Sequence, residues 1–268
     1  MSLTGKEIAQ MHKDYVMQSW SKSGVDALPV ERAEGIYFYD YDGNKYADMA
    51  SLLVCSNLGH ELPEIVEAIK AQADKMCFMA PAYASEPKST LAKMLVEAAG
   101  ADTYKRVFFT NGGAESNENA IKMARMVTGR TKIFSCYRSY HGATLGASNA
   151  SGDWRRYAAE IGGANGFVHF MNPQMYRDGY TKGVDDAEVT KKYLDALDLQ
   201  LRYEGPGNVA AILIFACQTQ KNGGSPTFRR FSVWRIRSPD ARFRRAGAAV
   251  CVRPDQDPPE DCQRTYGP

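Results

Sequence analysis

Between Arg106 and Met126 the chain passes from a short apolar stretch, Arg106-Val107-Phe108-Phe109, through Thr110-Asn111-Gly112-Gly113 into a helix-forming segment, Ala114 to Met126. A strand that turns on two glycines into a helix constrains the fold strongly. The turn must be tight, and the first amides of the helix have no preceding carbonyl to bind. Several N–H groups then point one way, which suits a phosphate or another anion. A tight connection that binds nothing is the alternative reading of the same residues.

The segments around this turn define the architecture. Lys132–Cys136 and Val209–Ile214 read as buried strands, and helix-length amphipathic stretches separate the apolar runs. Pro63 opens one helix, to about Met76, with Ile65, Ile69, Gln72 and Met76 on one face. Pro87–Ala99 carries Leu91, Met94, Leu95 and Ala98 on a stripe and stops at Gly100. Asp185–Tyr203 aligns Val189, Tyr193, Leu197 and Leu201. Strands of this kind alternating with helices predict an α/β fold with a largely parallel sheet covered on both faces. Ahead of it, residues 1–34 form a polar leader with one amphipathic helix, Lys6–Trp20. Gly35–Asp48 reads as a hairpin turning at Asp42-Gly43. Leu52-Leu53-Val54 is a short apolar run, and His60 reads as a loop or capping residue, with a functional imidazole as the alternative.

Ligands of such sheets sit at the C-terminal ends of strands. Two strand ends carry unusual loops, Thr110–Ser116 and Tyr137–Thr144. The first offers anion-binding amides; the second offers an aromatic face, an imidazole and a glycine that permits close backbone approach. A flat, phosphorylated aromatic cofactor would use both. Neither Gly-x-Gly-x-x-Gly nor Gly-Lys-Ser/Thr occurs, which argues against dinucleotide and nucleoside triphosphate sites.

Composition narrows the class. No apolar run approaches the ~20 residues that span a bilayer, and Met1–Gln10 lacks the apolar core of a secretory signal. The six cysteines form no C-x-x-C pair, so neither a metal site nor a disulfide framework is expected, and a reduced, cytoplasmic protein is. Charge usage changes abruptly after Ile214: 10 basic residues stand against 5 acidic ones from Phe215 onward, compared with 23 against 26 before it. Half of the 12 prolines also fall there. The expected division is an N-terminal segment at 1–34, an arm plus the first part of a large domain at 35–214, and an aberrant Arg/Pro-rich tail at 215–268, solvated rather than nucleic-acid-binding because its arginines lack aromatic interleaving on a defined surface.

In order, Tyr39-Asp40 to Asp48, Gly59-His60 with Pro63, Phe109-Thr110-Asn111-Gly112-Gly113-Ala114-Glu115-Ser116-Asn117-Glu118, Ala120-Ile121-Lys122-x-Ala124-Arg125, Tyr140-His141-Gly142-x-Thr144 and Ala211–Ile214 resemble the class III (ω-type) aminotransferases. The resemblance implies an aspartate-aminotransferase-like, fold type I structure, here with an incomplete large domain, and pyridoxal 5′-phosphate as cofactor. It implies that Gly113 and Ala114 donate amides to the phosphate, that Tyr140 lies on the pyridine ring, and that His141 and Gly142 sit beside it. Glu115 and Asn119 would support the loop. Trp20 and Leu53 would line the substrate pocket. The implied activity is amino transfer from an amine or ω-amino acid donor to a keto acid such as pyruvate, by a homodimer, with neither nucleic acid nor membrane as partner.

The resemblance also implies groups that this sequence does not show. The chemistry needs a lysine to hold the cofactor aldehyde and a carboxylate against the pyridinium nitrogen. After Ile214 comes Phe215-Ala216-Cys217-Gln218, and nothing around Lys221 matches the family's lysine. No catalytic residue is therefore assigned. The reading is a truncated, inactive aminotransferase with a foreign or out-of-frame tail, or a catalytically dead fragment that binds the cofactor or another phosphate ligand, or dimerises.

Overall fold

The computed structural model describes residues 3–18, 25–157, 165–171 and 186–214, with the side chains of Leu53, Val54 and Asp186 outside that description. Two compact units divide at Ser85/Glu86, inside the 35–214 stretch that the sequence presents as continuous.

The first unit begins with α1 (Gly5–Tyr15). Thr4 Oγ1 accepts from Glu7 N at 3.3 Å while Thr4 N donates to Glu7 Oε2 at 2.8 Å, a reciprocal cap that fixes the helix start. The helix ends at Tyr15, short of the predicted Trp20, which lies outside the described residues. A three-stranded antiparallel sheet follows in the order β1 (Val30–Glu34), β2 (Tyr37–Asp40) and β3 (Lys45–Ala47). The predicted hairpin forms, with Gly43 at φ +81° in its turn. Asp40 organises that turn: its carboxylate accepts from Asp42 N, Asn44 N, Asn44 Nδ2 and Tyr46 Oη at 2.8–3.0 Å. The Asn44 amide, chiefly, holds its carboxyl below the usual range. β1 has no apolar pattern to announce it. It is held by its ladder to β2 and by the Arg32 guanidinium 3.6 Å above the Tyr39 ring.

Leu52-Leu53-Val54 belongs to α2 (Ser51–Val54), a single helical turn whose first residues, Ser51 and Leu52, have left-handed φ of 47° and 42°. Asp48 Oδ1 accepts from Ala50 N and Leu52 N at 3.2 and 3.1 Å, which ties the backbone into that turn. The other Asp48 oxygen meets His60 Nε2 at 2.9 Å, and His60 pairs by backbone with Gly35. His60 is a structural tether here. α3 (Pro63–Lys75) completes the unit as predicted.

The second unit opens with α4 (Glu86–Ala99), matching the predicted stripe, although Leu91, Met94 and Leu95 are exposed. The strand predicted at Arg106–Phe109 is absent: the segment has no ladder partner among the described residues, and Phe108 is 63% exposed. An extended segment becomes a strand only by pairing, and the sheet ends on other strands. α5 (Gly113–Thr128) leads to β4 (Lys132–Cys136), α6 (Leu145–Ala150), a 3-10 turn at Trp154–Arg156, β5 (Phe167–Phe170), α7 (Asp186–Glu204) and β6 (Val209–Leu213). The strands are parallel in the order β5-β4-β6, with β4 central. Four-residue β5, with a histidine in it, escapes a periodicity reading.

Both faces of this sheet are covered, as predicted. Phe134 and Cys136 pack with Phe170, Val209 and Ile212 beneath Leu197 and Leu201 of α7. Ile133, one residue out of phase, packs with Ala210 beneath Ile121 of α5 and Ala150 of α6. Phe134 is fully buried. Fully burying such a side chain is worth roughly 1.5–3 kcal/mol. The core therefore sits directly below the C-terminal end of β4, where the chain turns into Tyr137–Thr144.

Candidate functional site

The N-terminus of α5 is uncapped by any side chain at Gly112, so the amides of Gly113 and Ala114 keep their hydrogen-bonding capacity. Nothing within 4 Å would meet a Cβ on Gly112 or Gly113, and both glycines are exposed. The rest of the turn is well tied. Glu115 Oε2 accepts from Asn111 N at 2.9 Å and Asn119 Nδ2 donates to Glu115 O at 2.9 Å, the supporting role the sequence gives them. Thr110 Oγ1 and Ser116 Oγ are 2.5 Å apart across the turn, one hydroxyl donating to the other, and each oxygen lies 3.1 Å from Gly112 O. An open, positively polarised helix end backed by a rigid turn accepts an anion without rearranging.

The second loop is brought against this helix end. Gly142 has φ +136°, and a Cβ built there would lie 2.5 Å from Ala114 Cβ and 2.8 Å from its Cα. No side chain fits, so glycine is what lets the loop reach the start of α5. His141 N donates to Ser151 Oγ at 2.9 Å, and Asn117 Nδ2 donates to His141 O at 2.7 Å. The imidazole is 7% exposed, and burial pushes its pKa down to about 4, so it is neutral at pH 7. Tyr140 is half-buried, with the Arg155 guanidinium 3.9 Å above one face of its ring. Asp153 fixes that guanidinium with two hydrogen bonds, one at 2.9 Å to Nε and one to Nη2, and these raise the arginine's pKa. One face of the tyrosine is thereby backed by a cation and the ring is stiffened.

Glu118 is a residue whose part is not evident from spacing alone. Its Oε1 accepts from Thr144 Oγ1 at 2.6 Å, Gly146 N at 2.6 Å and Ala147 N at 3.0 Å. A carboxylate on α5 thus caps α6 and closes the loop between them. Its place five residues into α5, beside a run of small residues at 143–150, is the only sequence signal for it. Among the five expected cofactor contacts, Gly113, Ala114, Tyr140, His141 and Gly142 lie in one unit, with the Gly142 backbone directly against Ala114. Leu53 belongs to the other unit, and Trp20 lies outside the described residues.

Pyridoxal phosphate presents an anionic phosphate and a flat aromatic ring. The free amides at Gly113 and Ala114, the room above Gly112 and Gly113, and a stiffened tyrosine nearby fit its phosphate and ring. The groups that would complete its chemistry are a different matter. Lys132 Nζ is bound to Glu204 at 2.7 Å at the opposite end of β4, and Lys105 Nζ donates to Ala101 O at 2.6 Å. Lys221 lies outside the described residues.

Residues 20–228 match the family model for class-III aminotransferases, a match that crosses the change of composition after Ile214. The chain is 74% identical to the structure of taurine:2-oxoglutarate aminotransferase from Bifidobacterium kashiwanohense, solved with PLP and glutamate, with a TM-score of 0.77 over 80% of this chain and 48% of that one. An (S)-enantioselective omega-transaminase from Thermomicrobium roseum superposes with a TM-score of 0.72 at 30% identity, over 79% of this chain and 49% of that one. The acetylornithine aminotransferase of Haemophilus ducreyi is 36% identical over 156 residues, 56% of this chain and 38% of its own length. The chain thus spans half or less of the length of these relatives. No helix among the described residues is long and apolar enough to cross a membrane. The uncapped helix end, the glycine packed on it and the match over residues 20–228 agree: this chain belongs to the class-III aminotransferase family.

Proposed function

We propose that this chain forms the phosphate- and ring-binding part of a pyridoxal 5′-phosphate site in a transaminase that moves an amino group from an ω-amino acid or amine to a keto acid. The packing of Gly142 onto Ala114 carries this reading, because it sets an aromatic loop beside free helix amides. When bound, the cofactor supplies the carbonyl and the electron-accepting ring that amino transfer requires. Gly113 and Ala114 would hold the phosphate by their N–H groups, a charge-assisted arrangement strengthened by the helix end. Tyr140, backed by Arg155, would limit the tilt of the cofactor ring. His141, neutral and buried, would add bulk without a competing charge. Trp20 and Leu53 would line the donor pocket. The 74% identity to the taurine:2-oxoglutarate aminotransferase supports a short ω-amino acid with an anionic end as donor and a 2-oxo diacid, in place of pyruvate, as acceptor.

Lys105 and Lys132 are engaged away from the cradle. This favours a second reading, in which the chain binds the phosphorylated ligand without turning it over, alone or paired with another subunit. The two readings separate cleanly. Pyridoxamine 5′-phosphate, which needs no lysine, should bind the purified chain and be displaced by inorganic phosphate. Borohydride reduction after addition of pyridoxal phosphate should label a specific lysine only if the first reading includes turnover. Failure of pyridoxamine phosphate to bind would sink both. Cytoplasmic residence is proposed from cysteine usage: Cys55 and Cys77 are exposed and Cys136 is buried, and none of the three is in a disulfide. The Arg/Pro-rich stretch 215–268 is proposed to differ in origin from the rest. A clean in-frame reading of the coding DNA across Ile214 in an independent isolate would refute that.

A further inference from the structure

The loop that carries Tyr140 and Gly142 is held by side chains from elsewhere. Both polar backbone groups of His141 are bound by them: the N–H by Ser151 Oγ at 2.9 Å and the carbonyl by Asn117 Nδ2 at 2.7 Å. Ser151 is 1% exposed and follows α6 directly; its hydroxyl donates to Ala147 O at 2.9 Å. With its proton committed there, an oxygen lone pair is left to accept the His141 amide. The Ser151 carbonyl is in turn 3.0 Å from His169 Nε2 on β5, so the serine backbone is anchored to the sheet. Asn117 lies four residues after Gly113 in α5, on the same helix face. One helix therefore carries both the free amides and the side chain that fixes the aromatic loop relative to them.

We propose that Asn117 and Ser151 are positioning residues that set the distance and tilt of the Tyr140 ring relative to the α5 N-terminus, and so govern affinity for the aromatic part of a phosphorylated ligand rather than for its phosphate. The inference rests on the pyridoxal-phosphate reading of the site. The selectivity follows from the geometry. The amides of Gly113 and Ala114 belong to the α5 backbone, which neither side chain holds in place. Tyr140 and Gly142 flank His141: Ser151 holds the peptide group between Tyr140 and His141, and Asn117 the one between His141 and Gly142. Loosening either peptide group lets the loop shift the ring, still backed by Arg155, and leaves the anion cradle intact.

The test uses the full chain and two ligands, pyridoxamine 5′-phosphate and inorganic phosphate. Binding of the first is followed by tyrosine and tryptophan fluorescence and by the induced circular dichroism of the bound pyridine. Phosphate is measured by competition. Asn117→Ala and Ser151→Ala should each weaken pyridoxamine phosphate binding about tenfold, the scale set by loss of one buried hydrogen bond. They should lower the induced dichroism per bound ligand and leave the phosphate constant within about twofold. Ser151→Thr, which keeps the oxygen, should restore the dichroism. Asn117 is only half-buried, so its variant keeps the test available if Ser151→Ala fails to fold. Equal pyridoxamine phosphate binding and dichroism in variants and parent overturns the proposal, as does a parallel fall in both ligands, the mark of a merely structural role. No binding of pyridoxamine phosphate by the parent chain overturns the underlying reading and this inference with it.

Discussion

Gly142→Ala tests the approach of the two loops directly. The residue has φ +136°, a region that alanine enters only under strain, and the new Cβ would stand 2.5 Å from Ala114 Cβ and 3.0 Å from Ala147 Cβ. Backbone strain of this sort costs about 1–3 kcal/mol, and forcing a methyl into packed surroundings costs a similar 1–3 kcal/mol. A total near 3 kcal/mol is expected. Gly129→Ala is the control. It caps the same helix at φ +66° and a Cβ there meets nothing within 4 Å, so only the left-handed penalty of about 1–2 kcal/mol remains. Thermal and urea unfolding of the full chain measure both. For a unit of this size each kcal/mol moves the midpoint by about 2–4 °C, so Gly142→Ala should melt several degrees below Gly129→Ala. The loop has one other option, to swing away from α5 and relieve the clash. Stability is then spared and pyridoxamine phosphate affinity drops instead. A variant with the stability of Gly129→Ala and the ligand affinity of the parent would refute the reasoning.

Three further outcomes are expected. Glu118→Ala leaves Gly146 N and Ala147 N without their acceptor, which at about 1–3 kcal/mol per buried group should cost roughly 2–4 kcal/mol in urea denaturation, with Glu118→Gln recovering most of it. His141 has a folded pKa of about 4 against an unfolded value near 6.5. Its contribution is complete above pH 6.5 and is lost as pH falls toward 4, a decline of at most ~3 kcal/mol in unfolding free energy that His141→Gln should flatten. Phe134→Ala, at a side chain buried in the centre of the sheet, should cost about 3–5 kcal/mol. A loss below 1 kcal/mol there would mean that the α7 face of the sheet is not packed as described.

How far the chain is legible from its residues depends on whether a feature is local. β4 is readable because Ile133, Phe134 and Cys136 suit a strand buried on both faces, and α5 because a double glycine and a helical stripe agree about its start. The hairpin at Asp42-Gly43 is readable from its turn residues. Arg106–Phe109 misleads for the same reason that it looks persuasive: β propensity is a local property, whereas a strand needs a neighbour to pair with. β1 shows the reverse, a polar segment made into a strand by the aromatic hairpin beside it. At the site, the free amides and Tyr140-His141-Gly142 are visible as motifs. The grip of Asn117 and Ser151 on the two peptide groups of His141 is not, because hydrogen bonds between residues 24 and 10 apart have no signature in spacing. Glu118 is hidden likewise, since a carboxylate early in a helix looks as if it serves that helix's own dipole.

The bonds that fasten the aromatic loop to α5 join residues 24 and 26 positions apart, whereas the Arg130 bond to Val209 at the start of β6 and the Lys132 bond to Glu204 at the end of α7 span 79 and 72. Closing the shorter loops costs about 1 kcal/mol less chain entropy by the logarithmic rule. Contacts of short range also tend to form early in folding. The ligand cradle can thus assemble ahead of the pairing between β4 and β6 during folding.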